Sequence, residues 1–200
     1  MSKIQTNQLQ HTANGAAVFT LPQTDGSADQ VLKTNGSGTL AFTAITAGIT
    51  EVDQWYLSAN LNNTSDITAN LVRNNFLGAA AQIGTGMTES SGIFTFPSTG
   101  KYMIFVHARL SIDSNDNINI ATQVSTDSGS NFTTVAYASD GNNGSGQRDG
   151  ASTSLYFLDV TNTSTVKVRF NHGSNSGNSY LMGDAGAMQT SFTFIRLGDT

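Results

Sequence analysis

The chain has 200 residues, two prolines, no cysteine and a net charge of -5, with an isoelectric point near 4.9. The missing cysteines exclude disulfides, thiol catalysis and thiolate metal sites, and nine scattered basic residues leave no electrostatic footprint for nucleic acid. Thr, Ser, Gly and Asn supply 87 residues against 12% charged ones, a composition that suits short strands and many turns over long helices, so the expected fold class is all-β. No apolar run approaches the roughly 18 residues of a membrane span, and the first ten residues lack the apolar region of a secretory signal. The expectation is therefore a protein made in cytosol, without membrane insertion, whose stability comes from packing or oligomerisation.

Residues 1–50 differ in texture from the rest. Leu9, Val18, Phe19, Leu21, Val31, Leu32, Leu40, Phe42 and Ile45 are strung out among polar residues, with turn signals at Asn14-Gly15, Asp25-Gly26, Asn35-Gly36 and Ser37-Gly38. Such a segment cannot enclose a core by itself. It reads as an extended arm that gains structure by winding with copies of itself or docking on another protein.

After Thr50 the texture changes, which puts the domain boundary near residue 50 and a head over 51–200. Val52–Ala59 reads as the first strand, Asn60–Thr68 as a polar loop, Leu71–Phe76 as a short strand or turn and Ala79–Ile83 as a brief apolar segment. Ile93–Phe96 is a short run, followed by a Pro-Ser-Thr-Gly turn and a long aromatic and branched run. In that long run Tyr102, Ile104, Val106, Ala108, Leu110 and Ile112 share one parity and one face, which belongs in a core. The opposite parity, Met103, Phe105, His107, Arg109 and Ser111, begins apolar and turns polar, so something must cover its first half. Symmetric self-association is the natural cover.

Further predicted elements are Asn117–Thr126, Phe132–Ser139, a glycine-rich loop Asp140–Gly150, Thr153–Val160, Val166–Asn171, a second loop His172–Gly186 and a terminal strand Gln189–Leu197. Eight or more strands at this spacing indicate a sandwich or barrel.

Two resemblances fit these pieces. The 22 residues Leu21–Phe42, LPQTDGSADQVLKTNGSGTLAF, resemble the "LPxxDGsxgQVLxTnGsGxLxF" element of bacteriophage tail fibres and other virion appendages. Asp29 stands where that phrase usually has glycine. Over about residues 51–198 the order of short strand, proline turn and Gly-Lys-Tyr-Met-Ile-Phe-Val-His, closing on Ser191–Leu197, resembles the jelly roll of the complement C-one-q and tumour-necrosis-factor-like superfamily. No glycine interrupts the closing strand, unlike the family pattern. This second resemblance implies an antiparallel two-sheet sandwich assembling as a homotrimer. By position it puts Met103 and Phe105 at the trimer interface with His107, and Tyr156, Ile195 and Leu197 as further members.

Candidate chemistry is sparse. The histidines His11, His107 and His172 are far apart in sequence, no Ser-His-acid spacing or Gly-x-Ser-x-Gly elbow is present, and neither an enzyme nor a cofactor is expected. A ring of three His107 imidazoles on a threefold axis would suit a metal, although a plain interface contact explains that residue more simply. Asp113 and Asp116, with Ser114, Asn115 and Asn117, offer hard oxygens of the kind calcium takes, yet Asn and Asp favour turns for backbone reasons alone. Gly141–Gly150 lacks the Gly-Lys-Ser/Thr ending of a phosphate loop. The two polar loops, with Asn142, Asn143, Arg148, Asn175, Asn178 and Tyr180, form the kind of adaptable surface that binds ligands.

The expected function is that of a structural phage virion protein, a trimeric tail fibre or spike whose arm binds other virion proteins and whose head adheres to a host-surface glycan or outer-membrane component. The alternative is a capsid decoration or tail adaptor with a purely structural role. A glycan depolymerase would instead need a carboxylate pair across a groove.

Overall fold

In a computed structural model, residues 6–10, 18–44, 48–62, 64–76 and 82–200 are described. His11, the Asn14-Gly15 turn, Ile45 and Ala79 lie outside them. The chain divides into two units, Met1–Gly48 and Ile49–Thr200.

The first unit consists of two small hairpins among the described residues. β1 (Gln8–Gln10) pairs antiparallel with β2 (Val18–Thr20), setting Leu9 opposite Phe19. β3 (Gln30–Thr34) pairs with β4 (Leu40–Ala44), setting Leu32 opposite Phe42. The β3–β4 turn is held by Asn35, whose Oδ1 accepts from the amides of Ser37 at 2.8 Å and Thr39 at 3.1 Å. Gly26 has φ +75°, and a Cβ there would stand 2.6 Å from the Phe42 ring, so only glycine fits. Asp29 also takes a positive φ, 66°, a conformation that glycine adopts without strain. Leu9, Val31 and Leu32 stay exposed.

The second unit is a sandwich of strands. They run β5 (Val52–Leu57), β6 (Ala59–Leu61), β7 (Leu71–Arg73), β8 (Gln82–Ile83), β9 (Thr88–Ser90), β10 (Ile93–Thr95), β11 (Gly100–Ile112), β12 (Asp116–Ser125), β13 (Thr133–Asn142), β14 (Arg148–Val160), β15 (Lys167–Ser174), β16 (Tyr180–Asp184) and β17 (Ser191–Gly198). The smaller sheet has the order β13-β12-β15-β10-β9. In the larger, β11 lies between β14 on one side and β17 with β16 on the other; β5 follows β17, and β7, β8 and β6 extend the rim. From β10 onward the chain crosses repeatedly between the sheets, as a jelly roll requires, and every strand pair is antiparallel. An all-β jelly-roll sandwich is what the sequence led one to expect.

The core lies between the two sheets. Tyr102, Ile104, Val106, Ala108, Leu110 and Ile112 are all buried, as their shared parity predicts. Against them pack the aromatics of both layers: Phe170 stacks on Phe192 at 4.2 Å, and Phe94 meets Phe194 at 5.1 Å and Trp55 edge-on at 5.4 Å. The Trp55 indole N–H donates to Asp53 at 2.8 Å, and Asp53 also accepts from Arg73 and the Met87 amide. That buried carboxylate is thus fully engaged, as burial demands. Burial raises the Tyr102 phenol above its ordinary pKa, partly offset by its hydrogen bond with Ser98.

Two predicted loops prove shorter than expected. β13 and β14 run into the glycine-rich segment and leave only residues 143–147 between them; β15 and β16 reduce the second loop to residues 175–179. Pairing of Arg148–Gly150 with Leu110–Ile112 carries the strand through residues of low β-propensity.

Candidate functional site: the outward face of the large sheet

The outward face of the large sheet is built by strict cross-strand register. Phe157 faces Met103, Met103 faces Ile195, Ile195 faces Val52 and Val52 faces Ile83. Directly opposed residues project to the same side, so these five form one apolar row crossing β14, β11, β17, β5 and β8. Its ends are open: Phe157 is 61% and Ile83 50% exposed. The next row begins Leu155–Phe105 and then turns polar through Thr193 and Gln54. Gln54 donates to Thr193 Oγ1 at 3.1 Å and accepts from Asn74 at 2.8 Å. The third row, Thr153–His107–Ser191–Tyr56, is polar apart from a tyrosine covered by Phe76 at 4.9 Å.

Met103, Phe105, His107 and Ile195 therefore share one face, as expected. Leu197 is the extra residue of a bulge where Lys101 pairs with Gly198 and Tyr102 with Arg196, and it is 53% exposed. Tyr156 requires a correction. It stands opposite Ile104 and packs against the core, while its neighbours Leu155 and Phe157 take the outward positions. Beyond His107 an open depression of about 350 Å³ is bounded by His107, Arg109, Asp149, Gly150 and Ala151, with Arg109 and Asp149 3.4 Å apart.

Several of the residues proposed for adaptable ligand binding are engaged by neighbouring loop and strand residues. Asn142 is buried, and its amide nitrogen donates to the carbonyls of Ile112 at 3.3 Å, Asp113 at 3.0 Å and Gly146 at 2.7 Å. Arg148 holds Asp140 at 2.6 Å. Asn178 donates to Asp113 at 3.1 Å, and its carbonyl accepts from Gln147 at 3.1 Å. The Asn175 amide donates to Asp116 at 2.9 Å. Tyr180 is half-buried opposite Ser111, whereas Asn143 stays exposed. These contacts knit three loops into one end of the sandwich.

The carboxylates of that end serve as acceptors within it. Ser176 donates to Asp113 at 2.7 Å and Ser179 donates to Asp116. The Ser176 bond leads in holding Asp113 below its ordinary pKa. Burial pushes Asp116 up, but the Ser179 hydroxyl and nearby amides outweigh it and leave the group lowered. Among the described residues no three His, Asp or Glu side chains gather as metal donors. His172, expected in a loop, lies on β15 and is buried, with its backbone amide donating to Ser65 at 2.9 Å.

No family model matches the chain, and no curated protein is similar to it in sequence. Solved structures do match. Eiger, a tumour necrosis factor from S. frugiperda, aligns with a TM-score of 0.56 at 13% identity, covering 76% of this chain and 96% of that one. Murine APRIL at pH 5.0 aligns with a TM-score of 0.51 at 12% identity, covering 74% and 98%, and at pH 8.0 with a TM-score of 0.51 at 11% identity over the same shares. At these identities the likeness speaks for architecture alone: the second unit is an all-β sandwich of the tumour-necrosis-factor-like jelly-roll kind.

Proposed function

We propose that the protein is a homotrimeric appendage of a phage virion, a tail-fibre or spike component whose head adheres to the host surface and whose arm, residues 1–50, engages other virion proteins. The observation that carries the assembly is the apolar row from Phe157 to Ile83, extended by Leu155 and Phe105. Fully burying an exposed side chain of this kind is worth roughly 1.5–3 kcal/mol; Phe157, Leu155 and Ile83 are exposed and Val52, Met103, Phe105 and Ile195 half-buried in one copy, so covering the row by two further copies favours association. The resemblance drawn above to the complement-head and tumour-necrosis-factor-like superfamily supplies the number three. The phage phrase in the arm supplies the virion, and the positive φ of Asp29 is consistent with it.

Adhesion by such a head would be weak per copy and strengthened by multivalency; the target would be a host glycan or an outer-membrane component, with no bond broken. The internal bonding of the end loops favours a second reading, a capsid decoration or tail adaptor that only caps and cements. Sedimentation of purified Phe105→Asp tests the trimer: monomer or aggregate is expected, and an unchanged trimer would remove the interface. Competition by purified protein for phage adsorption separates the two roles, since a decoration protein would not compete.

A further inference from the structure

Past its apolar row, the outward face of the large sheet holds a recess, the open depression of about 350 Å³ beside His107. Register shapes it. Arg109 of β11 stands opposite Ala151 of β14, with Thr153 opposite His107 on one side and Asp149 opposite Ser111 on the other. Among the described residues β14 pairs with β11 alone. A methyl group at this edge leaves the space between Asp149 and Thr153 unfilled, and Ala151 is exposed there. His107 lies four residues, roughly 14 Å, from Met103 along β11, so the recess is beyond the apolar part of the face.

The polar groups around it are underused. The ion pair of Arg109, Nη2 to Asp149 Oδ2, is 3.4 Å long, and the two side chains are 45% and 57% exposed. Charge-assisted bonds of this type run about 2.7–2.9 Å, and exposed pairs contribute little, so the guanidinium is available to a better acceptor. Its backbone is fixed: the Arg109 N–H donates to Thr190 Oγ1 at 3.1 Å, and the same hydroxyl donates to the Arg109 carbonyl at 3.2 Å. Among the described residues nothing hydrogen-bonds the half-buried His107 imidazole.

These groups select an occupant. Arg109 and Asp149 cancel in charge, so a bare inorganic anion gains little there. A carboxylate fits the planar fork of Arg109 bidentately, and a hydroxyl next to that carboxylate can donate to Asp149, with His107 as a third contact. None of the five lining residues is Phe, Tyr or Trp, so a neutral sugar would have no such ring to stack on. The volume is at the lower end of the roughly 300–1,000 Å³ of ligand pockets, which suits a single sugar unit.

From this placement we propose that the depression binds an acidic sugar unit of the hexuronic or sialic acid class, with its carboxylate on Arg109, a hydroxyl on Asp149 and a further polar group on His107. The proposal rests on the adhesion reading and narrows its target to an acidic host glycan.

Titration calorimetry of the full chain with oligogalacturonate, its methyl ester and oligosialate tests it. At least one acidic probe should bind, and masking its carboxylates as esters should weaken binding at least about tenfold. Arg109→Ala removes the fork and Ala151→Leu fills the recess; each should weaken binding as much, and Arg109→Lys should restore only part of it. Thermal midpoints and sedimentation of these variants should match the parent, because both side chains are exposed. Unchanged affinity in Arg109→Ala or Ala151→Leu would overturn the site and leave adhesion standing. Equal affinity for the ester or for inorganic phosphate would overturn the acidic-sugar assignment, and equal affinity for N-acetylaspartate would give the recess to an acidic side chain of a protein partner instead. If neither acidic probe binds, the site falls, and competition for phage adsorption decides adhesion separately: protein that still competes adheres through another surface.

Discussion

The two sheets of the head alternate inward and outward residues by the same period of two, yet they turn opposite chemistries outward. On the large sheet, five in-register side chains make an apolar row from Phe157 to Ile83. On the small sheet the outward rows carry amides, hydroxyls and small residues around an exposed Tyr137, and Arg169 pairs with Asp66 and lies over the Phe132 ring. A sandwich needs only its inner faces to be apolar, so the row is surplus to the fold of one copy. One side of the molecule is thereby suited to burial and the other to contact with water.

The largest expected effect comes from a charge placed in the middle of the row. Met103→Asp should cost several kcal/mol per copy on association, more than about a hundredfold in the assembly constant, and should sediment as monomer or aggregate. A charge on the opposite face, Tyr137→Asp, should leave the sedimentation coefficient unchanged. If both variants dissociate, or neither does, the contrast between the faces carries no information about assembly.

Arg169→Ala probes the small sheet next. It removes the bonds to Asp66 and Gln123 and the contact with Phe132, so stability measured by urea unfolding should fall by about 1–2 kcal/mol, with no change in mass. A shift in mass would show that this face also takes part in association.

Much of this architecture was legible in the sequence, because β11 alternates branched and aromatic residues over six positions of one parity. The phase of β14 was not. Leu155-Tyr156-Phe157-Leu158 is apolar on both parities, so nothing in the sequence selects a face, and only pairing with β11 turns Tyr156 inward and Phe157 outward. β13 misleads for another reason: Val135 and Tyr137 share a parity, but Val135 is the extra residue of a bulge between the Ala136–Thr122 and Thr134–Gln123 pairs. The bulge lets Val135 pack on the core while Tyr137 points out. The loop residues Asn142, Asn175 and Asn178 look alike whether they await a ligand or tie loops together; their partners come from elements up to 65 positions away.

Acid provides a test in which the row should be silent, since none of its five side chains ionises. At the β12–β13 turn, bonds from Ser125 and Asn131 lower Asp127 to about 2, and Asp113 and Asp116 are also lowered. A depressed carboxyl stabilises the fold above its unfolded pKa, and that contribution disappears as pH falls through the folded value. The thermal midpoint should therefore drop between about pH 4 and about pH 2, and Asp127→Asn should be less stable than the parent near neutrality and converge with it at the acid end. A trimer that dissociates at pH 5, before the head loses stability, would mean that ionised groups and not the row hold the copies together.

The smallest effect marks where the apolar face stops. Gln54 lies one row from Val52 and Ile195, with its amide relaying between Thr193 and Asn74. These bonds are satisfied within one copy, so a second copy has nothing to gain from them. Gln54→Ala should lower the unfolding free energy by about 0.5–1.5 kcal/mol and leave the assembly constant unchanged within about twofold. A tenfold loss of association would place the polar row inside the interface, and the boundary would then move toward His107 and the depression beside Arg109.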